Sequence, residues 1–216
     1  MLTSCESSDQ TILSQAQACL DHANSPSSAN VCVAQLGSLR TPDAYLIICS
    51  AHFIAQGFTT PRFVSAYNAL NTSKSGSNST ASSLAFMAFN STTGTDGSAQ
   101  TLIDCQASNV KSLVQLSVLT QMATLVASAA GLAGSYSQTT GYTSAQITAA
   151  IASYPTDAAS QASLGSTAIA ANAAYCAPGS SFLTSSVCTT LTVALGSSTD
   201  PATIGAALIA QLKKTQ

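Results

Sequence analysis

The placement of its cysteines constrains this chain more than any other feature of the sequence. The 216 residues include seven cysteines, Cys5, Cys19, Cys32, Cys49, Cys105, Cys176 and Cys188. They form no C-x-x-C motif, and only two histidines, His22 and His52, are present to complete a metal site, so we expect no structural zinc. Six cysteines that pair and one left over, in a chain poor in charge, indicate an oxidising compartment, secreted or periplasmic.

Charged side chains are unusually scarce. They make up 6% of the residues, against about 25% in an ordinary soluble domain. The net charge is −2, and the few basic residues are scattered, which argues against nucleic-acid binding. A hydrophobic content of 46% and a mean hydropathy of +0.29 favour a folded chain over a disordered one.

Apolar residues recur with a helical period almost throughout, which predicts an all-α fold. Thr41-Pro42-Asp43 is a strong helix start, with an N-cap, a proline in the first turn and an acid at the positive helix end. A second helix follows the turn at Ser25-Pro26-Ser27 and ends near Leu39. The other predicted helices cover 10–24, 41–57, 60–71, 84–89, 100–133, 143–154, 157–176, 181–195 and 200–214.

Loop-rich segments divide the chain. Residues 72–80 and the stretch through Gly94 and Gly97 read as loops, and 134–142 is the best internal boundary. This predicts a tether at 1–9, an N-terminal helical domain at 10–133 and a C-terminal helical subdomain at 143–216, packed together or forming one domain. We expect antiparallel helical hairpins stacked around the long central helix at 100–133.

The uncharged stretch 112–134 is long enough to span a bilayer. Ser, Gln and Thr recur within it, and its large apolar residues form a broad stripe on one side of a helix. We therefore predict a helix buried in a bundle.

The helical pattern also predicts the disulfides. Cys19 and Cys32 lie at nearly equal distances from the turn at Ser25-Pro26-Ser27, so antiparallel helices bring them level. The same logic pairs Cys176 with Cys188 around Pro178-Gly179, although this turn lies nearer to Cys176. Cys49 and Cys105 then remain as the third of the fifteen pairings that six cysteines allow.

The first residues, Leu2-Thr3-Ser4-Cys5, resemble the cleavage site of bacterial lipoprotein signal peptides. In that pattern an aliphatic residue and two small residues precede the cysteine whose thiol receives the lipid. The resemblance implies lipid attachment at Cys5, a polar tether after it, and a sequence that begins inside the signal peptide.

Residues 51–70, AHFIAQGFTTPRFVSAYNAL, resemble a tetratricopeptide-type helical hairpin. Gly57 stands at the turn, and Phe63, Ala66, Tyr67 and Leu70 fall roughly where that repeat packs against its neighbour. The Trp-Leu-Gly-Tyr pattern and the closing proline of the repeat are absent. The resemblance implies stacked helical hairpins and, more weakly, peptide binding.

Candidate chemistry is sparse. His52 lies one turn after Cys49, and Asp104 precedes Cys105, so pairing of the two cysteines would bring His52 and Asp104 close enough to hydrogen bond. A Ser-His-Asp arrangement is conceivable, but no G-x-S-x-G elbow follows a predicted strand, which favours a structural histidine. Asp21 and His22 suit a helix C-terminus.

The remaining motifs give little support to catalysis or cofactor binding. Most acids stand singly at helix starts, as Asp43, Asp157 and Asp200 do, which argues against paired catalytic carboxylates. The sequence contains no phosphate-binding loop. Triplets of the glycosylation type begin at Asn71, Asn78 and Asn90, but a chain this rich in Ser and Thr produces them by chance.

These patterns favour a non-enzymatic, lipid-anchored envelope protein at the periplasmic or cell-surface side. It would serve as a structural or protein-interaction module without a cofactor, and its partners would be other envelope or surface proteins. A homo-oligomer remains open. The alternative is a module that holds a lipid or other apolar ligand between its helices, as elicitins, which this composition resembles, hold sterols. A hydrolase that uses His52 and Asp104 ranks last.

Overall fold

The structure, a computed structural model, describes residues 8–58, 62, 64, 84–90, 94–137, 141–178 and 186–214. Over these residues the chain is helical and forms no β-strand, in agreement with the all-α prediction. Nine α-helices lie wholly in the described ranges, and residues 84–87 are helical as well. The nine are α1 Ser8–Leu20, α2 Pro26–Ala34, α3 Pro42–Ala55, α4 Gly94–Ala107, α5 Lys111–Ala129, α6 Ser144–Ala152, α7 Ala158–Tyr175, α8 Ser186–Leu195 and α9 Pro201–Lys214.

The first three helices pack on one another around a small core of their own, which includes Ala16, Leu20 and Ile47. Ser25 caps α2 in a reciprocal capping box with Ser28, and Pro26 opens the helix. The N-cap predicted at Thr41 is confirmed, because its hydroxyl accepts a hydrogen bond from the Ala44 backbone N–H at 3.3 Å. The local sequence therefore fixes where α2 and α3 begin.

The single long helix predicted at 100–133 is wrong. The chain forms two helices there, α4 and α5, which pack against each other. Asn109 adopts a left-handed conformation with φ of 59°, which short polar side chains tolerate. The Ser108 hydroxyl donates to the Cys105 carbonyl at 2.6 Å and accepts from the Val110 N–H. It therefore satisfies one backbone group at the end of α4 and one at the start of α5.

Helix α5 is the helix that the apolar stretch predicted. By length and composition it could cross a bilayer, but 50% of its apolar window is buried inside the protein. Its buried side chains include Val118, Leu119, Met122 and Val126, and it contacts α4, α6 and α7. In this fold α5 serves as a core helix.

Among the described elements, helices α7 and α9 make the most extensive contact with each other. A Cβ at Gly165 would lie 1.8 Å from the Pro201 carbonyl oxygen, and one at Gly205 would lie 1.9 Å from that of Gln161. Since 165 faces 201 and 161 faces 205, the two helices run antiparallel. Their backbones approach so closely that only glycine fits at these two positions.

The main core crosses the predicted boundary at 134–142. One cluster of buried residues extends from Cys49 to Leu212 and draws on both predicted units. The described residues in the boundary include a short 3₁₀ helix, Leu132–Ser135, and a single bridge between Ser137 and Gly141. The division into domains stays a prediction.

Some predictions fall outside the described residues. They include residues 1–7 of the tether predicted at 1–9, with Cys5, most of the helix at 60–71 and the loop at 72–80. The same holds for the tetratricopeptide-like positions Phe63, Ala66, Tyr67 and Leu70, and for the start of the helix predicted at 181. Of the three triplet asparagines, only Asn90 lies in a described range. The last two residues of the predicted tether belong to α1, which begins at Ser8.

Candidate functional site

The three disulfides join the same cysteine pairs that were predicted from the sequence. They link Cys19 to Cys32, Cys49 to Cys105 and Cys176 to Cys188, with Cα–Cα distances of 5.4, 5.0 and 5.4 Å. Cys105 lies in the last turn of α4, because the predicted long helix is two helices. The second disulfide therefore ties α3 to the end of α4.

Next to this disulfide, His52 of α3 meets Asp104 of α4. His52 Nε2 lies 2.9 Å from Asp104 Oδ2, and because a carboxylate only accepts hydrogen bonds, the ring nitrogen donates. The other carboxylate oxygen accepts from the Gln100 side chain at 3.1 Å. The juxtaposition that the sequence predicted on condition of cysteine pairing is confirmed.

The pair has the base and the orienter of a nucleophile–base–orienter arrangement. The Asp104 side chain is only 9% exposed, whereas that of His52 is 33% exposed and reaches solvent. Within the described ranges, no hydroxyl or thiol hydrogen-bonds to the remaining ring nitrogen, Nδ1. What the described geometry provides is a charge-assisted tie between α3 and α4, parallel to the disulfide.

His22 occupies the place predicted for it. Its Nδ1 lies 2.9 Å from the Ala18 carbonyl oxygen at the C-terminal end of α1, and Asp21 accepts a hydrogen bond from Gln17 at 2.7 Å. The His22 contact satisfies one of the carbonyls at this helix end. Over the described part of the chain, no group of three or more His, Cys, Asp or Glu residues is placed to hold a metal ion.

A buried arginine is the feature that sequence reasoning missed. Arg62 is 2% exposed, and its guanidinium donates to three backbone carbonyls, of Gln56 at 2.6 Å, Ala88 at 2.7 Å and Phe86 at 3.2 Å. It also donates to the Tyr136 hydroxyl, and its Cζ lies 4.0 Å from the centre of the Phe58 ring. We call these groups the Arg62 cage. No carboxylate pairs with Arg62 among the described residues.

Burial sets the electrostatics of the Arg62 cage. Desolvation lowers the pKa of Arg62, against the opposing effect of the nearby Tyr136 phenol. Burial likewise raises the pKa of Tyr136, although the Arg62 charge acts to lower it. Gly141 completes the cage, since with φ of 72° a Cβ there would lie 3.0 Å from Arg62 Nη2. The cage is a structural junction of three chain segments.

A surface groove of about 560 Å³ lies where the end of α4, the start of α5 and the end of α7 meet. Its lining residues are Gln106, Asn109, Lys111, Val114, Gln115, Ala173, Ala174, Ala177 and Pro178. The Gln115 side chain donates to the Ala174 carbonyl at 2.8 Å and so joins the α5 and α7 walls. No sequence motif pointed to this groove, because it depends on the break between α4 and α5.

Comparison of the chain with protein-family models, curated proteins and solved structures found no match.

Proposed function

We propose that the protein is a lipid-anchored envelope protein with a non-enzymatic, structural or protein-interaction role. The observation that carries the proposal is the cysteine count. Six of the seven cysteines are consumed by three disulfides, which leaves Cys5 without an intramolecular partner and inside the Leu2-Thr3-Ser4-Cys5 pattern. Disulfides also suit an oxidising compartment, where lipoprotein domains reside.

The distance between the proposed anchor and the fold is short. Helix α1 begins at Ser8, three residues after Cys5. Three extended residues span about 10 Å, so a lipid at Cys5 would hold α1 close to the membrane surface. A protein held in this way meets its partners within the envelope.

Support for an interaction role comes from the surface. In a chain with so few charges, apolar side chains such as Val31, Ile103 and Val193 are more than half exposed to solvent. Weak charge repulsion favours association with other proteins. Stacking of the hairpins in the manner of tetratricopeptide repeats is part of this proposal. So is the association of copies of the chain into a homo-oligomer.

The anchor is tested on protein isolated from the membranes of its native cell. Intact mass spectrometry should find diacylglycerol on an N-terminal Cys5, and the protein should partition into the detergent phase. The matched variant Cys5→Ser should remain in the aqueous phase with its three disulfides intact. Native protein that carries an unmodified chain from Met1 to Gln216 would refute the lipid anchor.

A further inference from the structure

The groove between α5 and α7 has an apolar side. Its apolar lining residues are Val114, Pro178 and the three alanines at 173, 174 and 177. The Cys176–Cys188 disulfide and the bond from Gln115 to the Ala174 carbonyl hold the α7 side in place. Its volume of about 560 Å³ lies in the range typical of pockets for small organic ligands.

Three polar side chains of the groove, other than Gln115, lie close together in the sequence and are not used by the fold. Lys111 begins α5, and Gln106 and Asn109 stand within five residues of it. Among the described residues, none of these three side chains makes a hydrogen bond or an ion pair. Apolar walls with a few convergent polar groups are the usual composition of a ligand site.

The sign of the charge selects the ligand. The Lys111 ammonium is the one charged group among the lining residues of this groove, and no described acidic residue shares it. The two amide side chains add hydrogen-bond donors beside the ammonium. A carboxylate is the complementary group, because it accepts from both ammonium and amide donors.

We propose that this groove binds a small organic anion in which a carboxylate is attached to an aliphatic chain. The carboxylate lies at Lys111, between the Gln106 and Asn109 amides. The aliphatic chain runs along Val114 and the alanines of α7. This inference narrows the ligand-binding alternative that the sequence left open, and it does not depend on a lipid at Cys5.

Calorimetric titration of the full chain with sodium octanoate at low salt tests the proposal. We expect saturable one-to-one binding, no detectable heat from acetate, which lacks the chain, and weaker binding of octylammonium, which reverses the charge. Lys111→Met should weaken octanoate binding about tenfold or more, as expected for the loss of one charge-assisted hydrogen bond. Ala173→Leu should block the groove from its exposed edge without disturbing buried residues.

Lys213→Met is the matched control, since it removes the same charge from α9, outside the groove, and should leave octanoate affinity unchanged. Thermal unfolding of each variant should confirm that it is folded, and Lys111 is exposed, so its replacement leaves the core intact. The absence of saturable octanoate binding would overturn the proposal. So would equal affinity in Lys111→Met and wild type, or octylammonium binding as tight as octanoate binding.

Discussion

Two regions of this molecule are held together by opposite means. The glycine pair, in which α7 and α9 cross at Gly165 and Gly205, brings two backbones into direct contact. The crosslinked junction, where α3 meets α4 and the segment 84–90, relies on the Cys49–Cys105 disulfide, the His52–Asp104 bond and the Arg62 cage. One region depends on shape, and the other depends on covalent and polar ties.

The difference follows from what each segment can bury. The α7–α9 pair is rich in alanine and glycine, whose small side chains permit close approach at little cost in side-chain entropy. The crosslinked junction includes two helix ends, one at Gln56 and one after the helical residues 84–87, whose carbonyls need donors. Arg62 supplies several donors at once. A chain with few charges therefore concentrates some of them where regular structure ends.

The largest expected effect comes from the covalent tie. Replacing both Cys49 and Cys105 by Ala should lower the free energy of unfolding by about 4 kcal/mol, because the disulfide closes a long loop. Removing Cys19 and Cys32 in the same way, which opens a shorter loop, should cost about 3 kcal/mol. Chemical denaturation measures both. An unchanged denaturation midpoint in the Cys49/Cys105 variant would show that the polar ties alone hold the crosslinked junction. It would contradict the view that this junction depends on a covalent tie.

Gly165→Ala tests the glycine pair. Alanine normally stabilises a helix interior relative to glycine, but here its Cβ would overlap the Pro201 carbonyl, so we expect a loss of about 3 kcal/mol from overpacking. Gly97→Ala in α4 is the control, since nothing lies within 4 Å of its Cβ position and stability should be unchanged or slightly higher. Equal stability of the two variants would show that α7 and α9 can separate at no cost.

Arg62→Met tests the Arg62 cage. The change leaves the carbonyls of Phe86 and Ala88 without their side-chain donor, whereas the Gln56 carbonyl keeps the Tyr136 hydroxyl. Relief of the buried charge offsets part of the cost, so we expect a loss of about 2 kcal/mol. Chemical denaturation gives the loss, and amide hydrogen exchange should quicken in 84–90. Arg40→Met, at an exposed site on the surface of the same chain, is the matched control. A stable Arg62→Met protein would mean that water replaces the guanidinium.

His52→Gln should lower the free energy of unfolding by only about 1 kcal/mol, the worth of one hydrogen bond beside an intact disulfide. Thermal unfolding measures it, with His22→Gln, at an exposed position just after α1, as the control. The hydrolase alternative is checked at the same time with an activated ester. A hydrolysis rate that the wild type shows and His52→Gln loses, at an unchanged melting temperature, would revive that alternative.

The smallest expected effect concerns acid stability at the start of α9. Hydrogen bonds from the Thr203 hydroxyl and backbone N–H lower the pKa of Asp200 below its ordinary value of 3.8. The contribution of Asp200 is therefore present above that value and disappears as the pH falls through the lowered pKa. Asp200→Asn keeps a good cap but does not titrate, so its stability should fall less steeply in acid. Identical acid profiles would contradict this assignment.

The parts of the site that the sequence predicted were all tied to helical register. Cys19 and Cys32 stand at nearly equal distances from a proline turn, and the constant rise of an α-helix then brings them level, which predicted their pairing. His52 and Asp104 were predictable because each lies beside a cysteine of the same pair. The Thr41 cap was visible because Thr, Pro and Asp stand in the order that helix starts favour.

The missed features depend on residues that carry no local signal. Ser108 and Asn109 break the predicted long helix, but serine is common in this chain and apolar residues recur on both sides of the break. Arg62 resembled any other scattered basic residue, because its partners are mainly backbone carbonyls from distant segments. The groove at Lys111 exists only because that break places the start of α5 beside the end of α7.

The sequence by itself determined the helical class, the disulfide pairs and several helix starts, since each depends on periodicity, spacing or residues within one turn. Tertiary structure alone decided that α4 and α5 separate at Asn109, that Gly165 and Gly205 face the backbone of a neighbouring helix, and that Arg62 is buried. The physical reason is the distance along the chain over which each kind of interaction acts. Local rules act through neighbouring residues, whereas backbone contact and desolvation are set by segments that meet only when the chain has folded.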